Sequence, residues 1–261
     1  MKNIQIIVML FVFTLQSYGQ QTFNNPTDAI RAGLQEKANK GNVEAQKNLG
    51  LFELQNGNFA KAMIWLKKAA DSGNADAQFN LALMYRDGEG CTVDYSQAMY
   101  WFKKSANNHS PRRGAYGEIG KMYQFGLGVS KDMSQAINWY KQGANLGDPY
   151  SMAYLGRIYR DSGDMDQALN WFRKAADAGD EECACYVYYL LEDKNLPTAL
   201  LYLKKSADAG YPNGMAWYGI RQIFGEGIQK NEKSGYDMIM NAASKGSEVA
   251  MEFLTKYKSN K

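Results

Sequence analysis

One phrase returns along this chain. It runs Ala62-x-x-Trp65-x-x-x-Ala69-Ala70-x-x-Gly73, then Ala98-x-x-Trp101-x-x-x-Ser105-Ala106, then Ala136-x-x-Trp139-x-x-x-Gly143-Ala144-x-x-Gly147, then Ala168-x-x-Trp171-x-x-x-Ala175-Ala176-x-x-Gly179. A weaker copy passes through Ala199, Tyr202, Ser206, Ala207 and Gly210, and a degenerate one through Gly235, Met238, Ala242, Ala243 and Gly246. The six copies recur every 31 to 38 residues, the closest being Ala168 and Ala199 and the furthest Ala98 and Ala136. At that period each unit is a helix pair that cannot bury its own apolar face and must stack on its neighbours.

Between those copies lies a second phrase: Ala77-x-x-x-Leu81-Ala82-x-x-Tyr85, Ala115-x-x-x-Ile119-Gly120-x-x-Tyr123 and Ser151-x-x-x-Leu155-Gly156-x-x-Tyr159. Steps of four, one and three keep these residues on one helical face. The small residues at 82, 120 and 156 admit a close partner, and the terminal tyrosine fills the widening gap. The helix with this phrase is called A, the helix with the tryptophan phrase B, and their apolar stripes are expected to meet. Gly88-Glu89-Gly90, Gly126-Leu127-Gly128 and Gly225-Glu226-Gly227 follow helix A, where glycine can end a helix and reverse the chain. Asp94, Asp132 and Asp164 stand where a side-chain oxygen caps helix B. Copies without the glycine pair, at Asn56-Gly57-Asn58 and Ser162-Gly163-Asp164, have a turn shorter by four residues.

These residues resemble the Sel1-like repeat family, a relative of the tetratricopeptide repeat, over roughly residues 41–257. The resemblance implies an all-α fold: a right-handed α/α superhelical solenoid of six antiparallel helix pairs, with a capping helix at each end. It also implies a scaffold for protein complexes, often in envelope or secretory signalling. The expected division is a signal peptide over 1–20, an N-terminal capping helix over 21–40, and repeats over 41–72, 73–108, 109–146, 147–178, 179–209 and 210–246. A C-terminal capping helix and tail fill 247–261. The first cap reads as a B-type helix from Thr27 to Lys40, with Thr27 or Asp28 as its N-cap, and the last as an A-type helix from Ser247 to Tyr257. The chain departs from the pattern where Glu53, Leu191 and Gln222 replace the tyrosine. The fifth copy also lacks both tryptophan and glycine pair, so looser stacking is expected there.

Lys2, the mostly apolar run from Ile4 to Leu15 and the small residues Ser17 and Gly19 have the layout of a cleaved signal peptide. The expected location is therefore exported, periplasmic or secreted, with no stable membrane insertion once the signal is gone. Formal charge is +3, or +2 without Lys2, far below the basic excess of a nucleic-acid binder. Cys91, Cys183 and Cys185 are odd in number and form no repeating pair, so no disulfide framework is expected. Cys183 reads as a small buried residue in a slot that other copies give to alanine.

Little here could perform chemistry. His109 is the only histidine and occupies a turn. No Cys/His spacing suggests zinc, and the glycine pairs lack the preceding strand and the lysine of a phosphate loop. Cysteine-rich members of the resembled family, with a disulfide in every repeat, are linked to binding or hydrolysing penicillin-type compounds, but the paired cysteines are missing here. Neither catalytic residue, cofactor nor metal is expected. The leading expectation is a non-enzymatic adaptor holding a protein or peptide in the concave surface lined by the A helices. The alternatives are a structural module of a cell-envelope or polysaccharide-export assembly, and a cell-wall or β-lactam-directed hydrolase. At 100° per residue, Phe79, Leu83 and Arg86 lie about 140–200° from Leu81. The same positions in the next two copies are Gly117, Lys121 and Gln124, then Ala153, Arg157 and Arg160. Arg86, Lys121, Gln124, Arg157 and Arg160 are thus the candidate partner-binding residues, suited to an acidic segment or a C-terminal carboxylate.

Overall fold

The computed structural model describes residues 26–259, and the leader expected over residues 1–20 lies outside them. The described residues hold fourteen helices and no strand, in two compact units. The first, ending at Arg112, contains α1 (Pro26–Asn39), α2 (Val43–Gln55), α3 (Phe59–Asp71), α4 (Ala75–Asp87) and α5 (Tyr95–Ala106). The second, from Arg113, contains α6 (Arg113–Phe125), α7 (Met133–Asn145), α8 (Pro149–Asp161), α9 (Met165–Asp177), α10 (Glu181–Leu191), α11 (Leu196–Asp208), α12 (Pro212–Phe224), α13 (Glu232–Ser244) and α14 (Glu248–Ser259). Within each unit every helix packs on the next, so α2/α3, α4/α5, α6/α7, α8/α9, α10/α11 and α12/α13 are the A/B pairs.

The small residues of helix A do admit a close partner. A Cβ on Gly120 would come within 2.7 Å of the Tyr140 ring, and one on Gly156 within 2.6 Å of the Phe172 ring. The rings that fill these hollows sit one residue after the tryptophan slot. At that position Leu66, Phe102, Tyr140, Phe172, Leu203 and Ile239 are all fully buried. Burying one such side chain contributes on the order of 1.5–3 kcal/mol. Trp65, Trp139 and Trp171 are only half-buried, so the most conspicuous residue of the repeat is not its deepest.

The caps follow the sequence reading in helix B. Asp94, Asp132 and Asp164 accept from the backbone N–H of Gln97, Gln135 and Gln167 at 2.9–3.0 Å. The second glycine of a long turn has a reason beyond its φ. A Cβ on Gly90 would meet the backbone of Phe59 at 2.9 Å, so the turn of the second copy seats on the first copy's helix B. At the N-terminus the expectation needs correction: α1 begins at Pro26, which places Thr27 and Asp28 inside its first turn rather than at its cap.

The fifth copy is also corrected. Cys183, Ala184, Val187, Tyr188 and Leu191 of α10 are buried in a core cluster shared with α7, α8, α9 and α11, and Cys185 is buried as well. Phe172 stacks on Tyr186 at 5.0 Å, as Tyr140 stacks on Tyr154 one copy earlier, and Tyr202 in the tryptophan slot packs on the same cluster, so the stacking continues through this copy. The three cysteines are free thiols; burial pushes Cys185 up to about 12 and moves Cys183 the same way. In the folded protein a maleimide is expected to label Cys91 at least about tenfold faster than Cys183 or Cys185, because it attacks the thiolate and needs access. Equal rates, read by mass spectrometry, would show that the fifth copy opens readily.

Candidate functional site

In the second unit α6 lies against α8, α10 against α12, and α12 against α14, closer than any two B helices come. The A side is therefore the inner side of this unit. The side chains bridging one A helix to the next define its surface, and they sit at steps of four and three: Tyr150, Tyr154 and Arg157 on α8, then Glu182, Tyr186 and Tyr189 on α10.

Arg157 donates from Nη2 to Glu182 Oε2 at 2.7 Å, spanning α8 to α10, and its guanidinium lies 5.4 Å from the Tyr154 ring centre. Burial works against its charge, but the nearby Glu182 carboxylate together with Tyr186, Cys183 and Tyr154 outweighs that and moves the guanidinium pKa upward. Arg160 pairs with Asp161 at 2.9 Å and lies 5.6 Å from the Tyr186 ring. Further along, Arg221 of α12 donates to the Tyr188 hydroxyl at 2.9 Å, to Glu192 at 3.1 Å and to Glu226 at 3.0 Å. Tyr189 meets Trp217 edge to face at 6.0 Å. The arrangement is an alternation of guanidinium, ring and carboxylate, in which each arginine is stacked and oriented in advance. A planar guanidinium so held is pre-organised for bidentate carboxylate recognition.

The remaining candidates are placed differently. Gln124 Oε1 accepts from the buried Tyr140 hydroxyl at 2.7 Å, so part of its polar capacity is used inside the pair. Lys121 is half-exposed and has no ion-pair partner among the described residues. Arg86 belongs to the first unit, where it pairs with Asp87 at 2.7 Å. The structure thus brings Arg157 and Arg160 together with Tyr154, Tyr186 and Glu182. Sequence reasoning missed the aromatic half of this face, although the signal was present as a second stripe offset from the packing stripe.

Burial raises the phenols of Tyr140, Tyr150 and Tyr189, and pushes Tyr188 up to about 12. These phenols keep their protons at neutral pH. Among the described residues no group of three His, Cys, Asp or Glu is placed to hold a metal ion, His109 is exposed in a turn, and no helix is long and apolar enough to cross a membrane.

The Sel1 repeat profile matches residues 43–74, 75–110, 115–148, 149–180 and 184–211. Most of the chain lies within these matches, and the protein belongs to the Sel1 repeat family. The sixth pair, α12/α13, falls outside the matched repeats yet folds as the others do. Among solved structures, a Sel1 repeat protein from Oxalobacter formigenes is 27% identical, covering 80% of this chain and 87% of its own, with a TM-score of 0.71. The protein c5321 of uropathogenic Escherichia coli is also 27% identical with a TM-score of 0.69, and this chain spans 50% of its length. PilF of Pseudomonas aeruginosa, 19% identical with a TM-score of 0.55 and covered over its whole length by 89% of this chain, shares the fold. No curated protein sequence matches. Such helical repeats are commonly protein-interaction scaffolds.

Proposed function

We propose that this protein is an exported, non-enzymatic adaptor that holds an acidic peptide segment or C-terminal carboxylate on the A-helix face of its second unit. The observation that carries the reading is the stacking of Arg157 and Arg160 over Tyr154 and Tyr186. Stacking orients both guanidinium groups while leaving them half-exposed. Export rests on the leader-like segment from Lys2 to Gly19. It is supported by the description of the E. coli relative as a protective antigen, since antibodies reach what lies outside the cell.

The test is quantitative capture from the source organism's envelope fraction, comparing the mature chain with the Arg157→Ala/Arg160→Ala variant. Partner recovery is expected to fall about tenfold, equivalent to roughly 1.4 kcal/mol, with helicity by circular dichroism unchanged. Glu182 is itself well exposed, so losing Arg157 does not strand a buried charge. Equal recovery by both proteins would move the binding surface elsewhere.

A further inference from the structure

In five copies the slot three residues into the helix B phrase holds a large ring: Trp65, Trp101, Trp139, Trp171 or Tyr202. In three of them a lysine from the next turn lies over that ring, Lys68 at 4.2 Å, Lys174 at 4.3 Å and Lys205 at 5.9 Å. Trp139 packs 5.9 Å from Tyr116, the second residue of its helix A phrase. The sixth copy changes all three partners together: Met238 stands in the ring's slot, Asn241 in the lysine's, and Met215 where Tyr116 stands in the third copy. A groove of about 460 Å³, widely open to solvent, lies at that place, with Met215 and Met238 on its apolar wall and Ser234, Asp237 and Asn241 on its polar one. That volume is within the range of about 300–1,000 Å³ that suits a bound group. Asp237 and Lys233, both exposed on the rim, have no ion-pair partner among the described residues.

We propose that this groove receives an aromatic side chain from a partner protein, with a basic residue beside it. The chain itself shows what the slot accepts, because it fills the equivalent position five times with a ring and sets a lysine over four of them, Trp101 taking Lys67 of the preceding copy at 5.5 Å. In the sixth copy no ring is supplied internally and no lysine comes from the next turn of α13, although Lys245 Nζ lies 3.9 Å from Met215 Sδ at the side of the slot; two methionines offer the soft, adaptable contact that aromatic faces favour. Asp237 offers the incoming cation a carboxylate. The surface is separate from the arginine face of α8 and stands whether or not that face binds a partner.

The test uses the mature full chain carrying ¹³C-methyl methionine, titrated with acetyl-lysyl-tryptophan amide and, as control, acetyl-lysyl-alanine amide. Ring-current shifts at the Met215 and Met238 methyls are expected to saturate in the low-millimolar range, about 4 kcal/mol of binding, and the alanine probe should move neither. Met238→Trp fills the slot and should abolish the response at Met215. Asp237→Asn should weaken binding at least threefold. The proposal is overturned if no saturable shift appears, if the alanine probe acts equally, or if folded Met238→Trp responds as the wild type does. Should Met238→Trp not fold, the Asp237→Asn comparison decides, and unchanged affinity there overturns the pairing of ring and cation.

Discussion

Replacing Arg31 with alanine is expected to lower stability by about 3 kcal/mol, read as a fall in the urea midpoint of the far-ultraviolet signal. Glu53 is fully buried at a slot where other copies place tyrosine. Its carboxylate is held by Arg31 Nε at 2.6 Å and by Asn58 Nδ2 at 2.8 Å. Arg31 comes from α1, so this pair ties the terminal helix to the first A helix. Without it a buried charge keeps one neutral donor, and stranding a charge in this way costs about 3–5 kcal/mol. The lower end applies because Arg31 itself reaches solvent, with 38% of its side chain exposed. Adding Glu53→Gln to the variant removes the charge and should restore at least half of the loss. A single-variant effect below about 1 kcal/mol would mean that water reaches Glu53 and the terminal helix is held by packing alone.

The second large effect is expected at Gly235, where alanine should cost about 2–3 kcal/mol. In the sixth pair the two helices meet backbone to backbone: a Cβ on Gly235 would lie 2.5 Å from the Gly219 carbonyl oxygen, and one on Gly219 would lie 2.7 Å from the Gly235 carbonyl oxygen. Alanine normally gains about 1 kcal/mol over glycine within a helix. Here the obstacle is backbone rather than a mobile side chain, so the helices must separate and the gain is overwhelmed. Gly33 on α1 is the control, since a Cβ there meets nothing within 4 Å. Gly33→Ala should stabilise by up to about 1 kcal/mol. If both alanines stabilise, α12 and α13 are further apart than the structure places them.

Periodicity carried the fold far. The recurrence of Trp65, Trp101, Trp139 and Trp171 located four helix pairs, and Asp94, Asp132 and Asp164 located the start of helix B in three of them. What it could not show is depth. Trp171 and Phe172 are adjacent in sequence and both apolar, and only the approach of Gly156 decides that the second is the core residue. The fifth copy misled for a related reason: the absent tryptophan was visible, while the stack of Phe172 on Tyr186 joins two helices whose contact a single-helix pattern does not display. Of the candidate site, Arg157 and Arg160 were legible as exposed charges on one helix. Glu182 and Tyr186, their partners on α10, were not, because one helix's angular plot contains no neighbour.

Each arginine of the inner face already has a carboxylate, Glu182 for Arg157, Asp161 for Arg160, and Glu192 and Glu226 for Arg221. On the proposed binding face, a guest carboxylate would compete with these resident ones for the guanidinium donors. The number of ion pairs is the same before and after, so the exchange is isocoulombic and bulk negative charge gains nothing from it. Anionic polymers would meet a face whose three arginines are already matched by carboxylates. If this face binds as proposed, a guest wins by bringing its carboxylate to the right place on a shaped segment, and the face selects by position rather than by charge.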